Sequence, residues 1–272
     1  MQAREEKQES EYRYIEPSLK RHKVDPFIAA EHNHPIWRAI WHFYIRNAIK
    51  RRFYSIRVKH PEHFDMRNKD YPCIFYAQHT CWWDGLIGYC LYWFLFKEKT
   101  NMMIEDLLSF PLLKYVGAFS IDKKSPKSIL RSMQYSVEFM KNEKISLWMF
   151  PQGVIKPPNH RPLEFQKGLA FLVQKTGKVN LIPIAMQYPF LRQGLPEVMV
   201  DIGKPIIVDK DIDKDEFTDY VEKDFTNLLD NQLKEISNGE IEKYNTFLFK
   251  KHAGLGKSLE KFLKNSFRLF NE

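Results

Sequence analysis

Short apolar and aromatic runs recur along this chain, each ending in a polar turn and followed by a stretch of helical length. That alternation limits the possible folds more than any other feature. Residues 72–77, 119–121, 145–150 and 180–187 are the runs that matter most, joined by residues 53–58 and 196–202. They are too short for buried helices and rich in the residue types that fit a pleated, covered surface, so they predict strands. Between them, helices are expected over 86–96, 107–116, 125–142, 165–175 and 217–236, with Ser125 followed by Pro126 as a strong helix start and Gly177 as a stop. The order implies an α/β fold: a mixed, partly parallel central sheet flanked by helices, with N-terminal and C-terminal amphipathic helices at its margins. In such a sheet, chemistry collects where strands end.

The run 72–77 ends directly in Gln78-His79-Thr80-Cys81-Trp82-Trp83-Asp84. On an extended strand His79 and Asp84 would point to opposite faces, so only a turn or an opening helix brings them together. If the chain bends there, Asp84 accepts a hydrogen bond from one imidazole nitrogen, fixes the tautomer, and leaves the other nitrogen as a general base. An isolated H-x-x-x-x-D string also occurs as an ordinary loop contact. Its weight comes from the segments that follow it.

The composition narrows the partners. A net charge of +8 points to an anionic surface, and an aromatic content of 15% favours a membrane over nucleic acid, since the cations are dispersed and no nucleic-acid motif is present. No segment reaches the ~20 apolar residues of a spanning helix, and the Glu-, Lys- and Gln-rich amino terminus is unlike a signal peptide. The expectation is peripheral or monotopic attachment at the cytoplasmic face of a membrane. Cys73, Cys81 and Cys90 fit neither a disulfide framework nor a zinc site, which suits a reducing compartment. His32 and His34 have no neighbouring ligands in sequence, and no metal site is expected.

Four regions follow. Residues 1–34 form a charged arm. In 35–52, Arg38, His42, Arg46 and Lys50 recur every fourth position on an otherwise apolar helix, which either packs on the domain or lies in a membrane interface. Residues 53–236 hold the α/β domain. In 237–272, Leu255, Leu259, Phe262, Leu263, Phe267, Leu269 and Phe270 share one helical arc opposite Lys257, Lys261, Lys264 and Arg268, a basic amphipathic pattern suited to anionic lipid.

Four stretches now stand in a recognisable order: His79 to Asp84; Gly117-Ala118-Phe119-Ser120-Ile121-Asp122-Lys123; Phe150-Pro151-Gln152-Gly153; and Leu181-Ile182-Pro183-Ile184. Together they resemble the glycerolipid acyltransferase family, whose best-known members are lysophosphatidic acid acyltransferases, over roughly residues 53–205. The resemblance implies transfer of a fatty acyl group from an acyl-CoA or acyl carrier protein thioester, a co-substrate rather than a resident cofactor, to the hydroxyl of a lipid acceptor. The acceptor implied is 1-acylglycerol-3-phosphate, giving phosphatidic acid. It casts His79 as general base, Asp84 as its orienting partner, backbone amides near Gly153 as oxyanion donors, and Trp82, Trp83 and the 86–96 helix as walls of an acyl groove.

This chain departs from the family pattern in the third block. Gln152 replaces the usual Glu, and Val154, Ile155 and Lys156 follow where an Arg is normal; Lys123 stands where Arg is common. Only Arg presents a planar fork to phosphate. Arg161 or Lys167 could return a cation to the site. The departures leave two alternatives: an acceptor with another lipophilic hydroxyl, such as a glycosylated carotenoid or a glycolipid, or a membrane-binding protein without catalysis. A third would make Cys81 a nucleophile beside His79. Oligomeric state is not legible.

Overall fold

The computed structural model describes residues 26–248, position 124 excepted. The chain order is α1 (Pro35–Arg52), β1 (Ile56–Lys59), β2 (Cys73–Ala77), α2 (Trp83–Cys90), β3 (Thr100–Ile104), β4 (Ala118–Ser120), α3 (Pro126–Glu143), β5 (Ser146–Met149), α4 (Gly168–Thr176), β6 (Val179–Gln187), β7 (Val198–Ile202), β8 (Ile206–Val208), α5 (Lys214–Ser237) and β9 (Asn245–Leu248). The arm before residue 26 and the basic amphipathic pattern beyond 248 lie outside the described residues.

The sheet runs β4-β3-β5-β2-β6-β7-β1-β9. Its first five strands are mutually parallel. β7 turns antiparallel on β6, β1 lies parallel to β7, and β9 returns antiparallel on β1. The architecture is therefore the mixed, partly parallel α/β sheet expected. Burial explains why the central strands read as continuous apolar runs: every residue of β2, β5 and β6 is buried, as strands covered on both faces must be.

Alternation along those strands sorts the side chains into two cores. Cys73, Phe75, Ala77, Trp148, Ile182 and Ile184 join α1 and α2 on one face. Ile74, Tyr76, Leu147, Leu181 and Ala185 join α3, α4 and α5 on the other. β6 changes neighbour halfway, pairing with β8 at its start and β7 at its end. Pro183 sits between the two pairings, where a missing amide hydrogen removes no ladder bond.

Several local expectations shift. Residues 107–116 form two short 3-10 turns, Leu107–Ser109 and Pro111–Val116, rather than one helix, because Pro111 withholds an amide and its ring obstructs the preceding turn. The helix expected over 86–96 is α2 followed by a π turn, Leu91–Leu95. Residues 26–34, expected as part of a loose arm, lie along the sheet edge. Ser120 donates its amide to the Ile28 carbonyl at 3.0 Å, and the Ile28 amide donates to Ser120 Oγ at 2.8 Å. His32 meets Asn101 at 2.7 Å.

α1 is oriented against its composition. The first half of its polar stripe packs on the domain, with Arg38 over the Trp93 ring and His42 among Tyr89, Trp93 and Phe94, while Arg46 reaches the Phe94 ring from an exposed position and Lys50 is exposed. Ile45 and Ile49 are buried, while Ile36, Ile40, Phe43 and Tyr44 are exposed.

Candidate active site

The site is built at the end of β2, where the chain leaves the sheet. Gln78 continues the strand with its side chain, donating to the Met186 carbonyl and accepting the Met186 amide at 3.3 Å. That holds the backbone at the level where β6 ends. The His79 amide then donates to Gln152 Oε1 at 2.7 Å, and the His79 carbonyl accepts from the Lys156 amide at 2.8 Å. The loop carrying the base is thus pinned by the third block.

The five-residue interval is closed by a turn opening α2. The Asp84 carboxylate, fully buried, reaches back over that turn: Oδ2 accepts from the Thr80 amide at 2.5 Å, the Cys81 amide at 2.9 Å and His79 Nδ1 at 3.0 Å. A buried carboxylate needs such donors to remain charged. His79 shows 22% of its side chain to solvent, and Phe150 stacks on one face of its ring at 4.2 Å and 10°. With Nδ1 used by Asp84 and one face covered by Phe150, Nε2 is the nitrogen left to meet a substrate proton.

Gln152 is placed differently from the substrate contact expected. It is 3% exposed, its Oε1 holds His79, and its Nε2 donates to the Leu163 carbonyl at 3.1 Å. A glutamate could reproduce the first contact but not the second. Gln152→Glu should lower stability by about 1–3 kcal/mol at neutral pH, the usual cost of a buried acceptor losing its donor. A carboxyl there would have a raised folded pKa, so the deficit should vanish below about pH 4.3. It should grow as pH rises through the raised value, a course readable in urea midpoints against pH.

The other expected residues divide. Lys123 bridges the second and third blocks, donating to the Gly153 carbonyl and lying 2.6 Å from Glu105. The Gly153 amide, expected to face an oxyanion, instead closes the block's turn on the Phe150 carbonyl at 3.0 Å, with Gly153 at φ 69°. Arg161 is drawn away to α5, where it pairs with Asp230 at 2.5 Å, and Lys167 pairs with Asp215 at 2.6 Å. Lys156, not singled out as a site cation, pairs with Glu164. Trp82 is exposed beside the site, while Trp83 turns inward, edge-on to Phe53 at 5.2 Å. Ile87, Tyr89, Cys90, Leu91 and Tyr92 are core residues, while Leu86, Trp93, Phe94 and Leu95 of the same stretch are only partly buried.

Cys81 is half-buried, and its thiol is pushed up to about 11, first by burial and then by the Asp84 charge. It stays protonated at neutral pH and makes a poor nucleophile. Cys81→Ala should change turnover by less than about threefold, because a thiol is a weak donor; its contact with Asp84 Oδ1 is 3.6 Å. Loss of turnover in that variant would restore the thiol reading.

Sequence reasoning missed Tyr188, whose hydroxyl donates to Asp84 Oδ1 at 2.5 Å. No signal in the sequence pointed to it: only the register of Ala77 against Ile184, set by the folded sheet, brings the residue just past β6 level with the His79 turn. Among the described residues no three His, Cys, Asp or Glu side chains converge as metal ligands. A cavity of about 660 Å³, lined by residues including Lys59, His63, Asp201 and Asn227, does not include His79.

Similarity to known proteins falls on the stretch of chain that carries this site. Residues 55–187 match the family model described as Acyltransferase. A curated relative, the 1-acyl-sn-glycerol-3-phosphate acyltransferase of Streptococcus pneumoniae (strain ATCC BAA-255 / R6), is 29% identical over 147 residues, covering 51% of this chain and 52% of that protein. The Saccharomyces cerevisiae (strain ATCC 204508 / S288c) protein of the same name is 27% identical over 130 residues, 44% of this chain and 41% of its own length. The chain spans about half the length of the curated relatives it matches. In fold it is similar to the crystal structure of the 1-acyl-sn-glycerophosphate (LPA) acyltransferase PlsC from Thermotoga maritima, with a TM-score of 0.53 and 19% identity over 72% of this chain and 79% of that one. Over residues 55–187 the sequence is thus similar to the Acyltransferase family, and it is carried on an α/β sheet similar to that of PlsC.

Proposed function

We propose that this chain is an O-acyltransferase that moves a fatty acyl group from a thioester to a lipid hydroxyl, with 1-acylglycerol-3-phosphate as acceptor and phosphatidic acid as product. His79 Nε2 takes the acceptor's hydroxyl proton as the oxygen bonds to the thioester carbonyl. The carbon–sulfur bond then breaks, and the proton leaves with the thiol. Asp84 holds the ring and balances the imidazolium that forms. The observation that carries this reading is the His79–Asp84 pair, with Nδ1 fixed and Nε2 at a partly exposed mouth.

A lipid acceptor must reach that mouth from a bilayer. The outward Ile36, Ile40, Phe43 and Tyr44 of α1 are joined to exposed Leu112 through Trp37 Nε1, which donates to the Leu112 carbonyl at 2.8 Å. Lys50, Arg51 and Arg52 end the same helix. An apolar face with a basic end suits an anionic interface, and none of the described helices is long and apolar enough to cross a membrane. Peripheral attachment is part of the proposal.

A second reading rests on charge. Lys123 and Lys156 already face Glu105 and Glu164, and Gln152 is used internally, which favours an uncharged lipophilic hydroxyl. One assay separates the cases. Purified protein is given acyl-CoA or acyl carrier protein thioester with either 1-acylglycerol-3-phosphate or a glycolipid, while free thiol is followed and the product is identified by mass. Acceptor-dependent thiol release with phosphatidic acid supports the first reading. Release with the glycolipid alone supports the second, and no release with any acceptor leaves a membrane-binding protein without catalysis.

A further inference from the structure

Asp84 divides its donors unequally. Oδ2 takes His79 Nδ1 and the Thr80 and Cys81 amides. Oδ1 has one short donor among the described residues, the Tyr188 hydroxyl at 2.5 Å, beside the Thr80 hydroxyl at 3.4 Å and the Cys81 thiol at 3.6 Å. Tyr188 lies one residue past β6, and one residue beyond the 55–187 stretch that matches the family model. Its phenol is held well above its ordinary value by burial and then by the Asp84 charge, so it remains a neutral donor. Phe53 lies 5.7 Å from its ring, and Phe53 in turn meets Trp83.

We infer that Tyr188 is a positioning residue of the dyad: by donating to Oδ1 it keeps Oδ2 turned to His79 and draws carboxylate charge away from the imidazole. The inference rests on the reading of His79 as base. A charge-assisted O–H···O⁻ bond is among the stronger hydrogen bonds, so its loss concentrates charge on the oxygen facing His79. The imidazolium is then better stabilised, and His79 holds its proton to higher pH. The titratable groups facing this pair are Cys81 from the turn and Tyr188 from the end of β6; Phe150, after β5, offers only its ring.

The test compares wild type, Tyr188→Phe, which keeps the ring, and Tyr76→Phe. Tyr76 is a buried core residue whose hydroxyl has no partner among the described residues, so its loss should leave all readouts unmoved. The first readout is the NMR titration of the His79 ring. We expect a rise of about one pH unit in Tyr188→Phe, a tenfold change in the proton equilibrium. The second is the pH dependence of kcat, whose acid limb should move up equally, so that kcat falls about tenfold at pH well below the limb and little above it, with KM for the thioester within about twofold. A His79 titration unchanged in Tyr188→Phe overturns the inference and leaves Tyr188 as packing. Because that titration needs no turnover, it decides the point even if thioester consumption proves independent of His79, a result that would instead end the proposed function.

Discussion

Replacing His79 by Ala should lower acceptor-dependent thiol release by about 10²- to 10⁴-fold, the usual contribution of a positioned general base. The fold should survive. The variant loses the ring stacked on Phe150, but Asp84 keeps the Thr80 and Cys81 amides and the Tyr188 hydroxyl, so its charge does not become an orphan in the core. His63→Ala is the matching control, since His63 Nδ1 donates to the Ile202 carbonyl at 2.7 Å, away from the dyad. Equal rates in His79→Ala and wild type would remove the catalytic role. Equal losses in both histidine variants would point to general damage instead.

The largest expected loss of stability is at Gly88. A Cβ there would stand 2.5, 2.6 and 2.9 Å from three atoms of the Trp148 ring, well inside contact distance. Trp148 is fully buried and cannot yield easily, being hemmed by Phe75, Tyr92 and Phe150 at 6.0–6.3 Å. Overpacking a close-packed core costs about 1–3 kcal/mol, and a rigid aromatic wall puts Gly88→Ala at the upper end. At that end the thermal midpoint should fall by about 6–12 °C for a chain of this size. Calorimetry and urea melts measure it directly. Adding Trp148→Leu should recover part of the loss, because it removes the atoms the new methyl meets; a Gly88→Ala melt matching wild type would mean that α2 shifts freely on the sheet.

Both variants bear on what could be read from residues alone. The strands of the parallel block were legible because burial on both faces leaves an unbroken apolar run, as in Cys73–Ala77 and Ser146–Met149. β8 and β9 were not, being three and four residues long and partly exposed. Periodicity found the stripe of α1 but not its direction. A charge packed on the domain only makes sense once the Trp93 ring supplies a face for Arg38. The altered third block looked like a change in substrate recognition, yet Gln152 spends both ends of its amide on the backbone of His79 and Leu163.

Contacts closed within a few residues were set by the chain itself: the alternating elements, the Ser125 cap whose hydroxyl accepts the Ser128 amide, and the turn through which Asp84 reaches His79. Tertiary structure decided the rest: Tyr188 on Asp84 across 104 positions, Arg161 drawn to Asp230, and an apolar helix face turned outward. The reason is physical. A turn or cap is selected by the backbone preferences of the residues that form it, whereas a contact between strand ends exists only after sheet order and register have put those ends side by side.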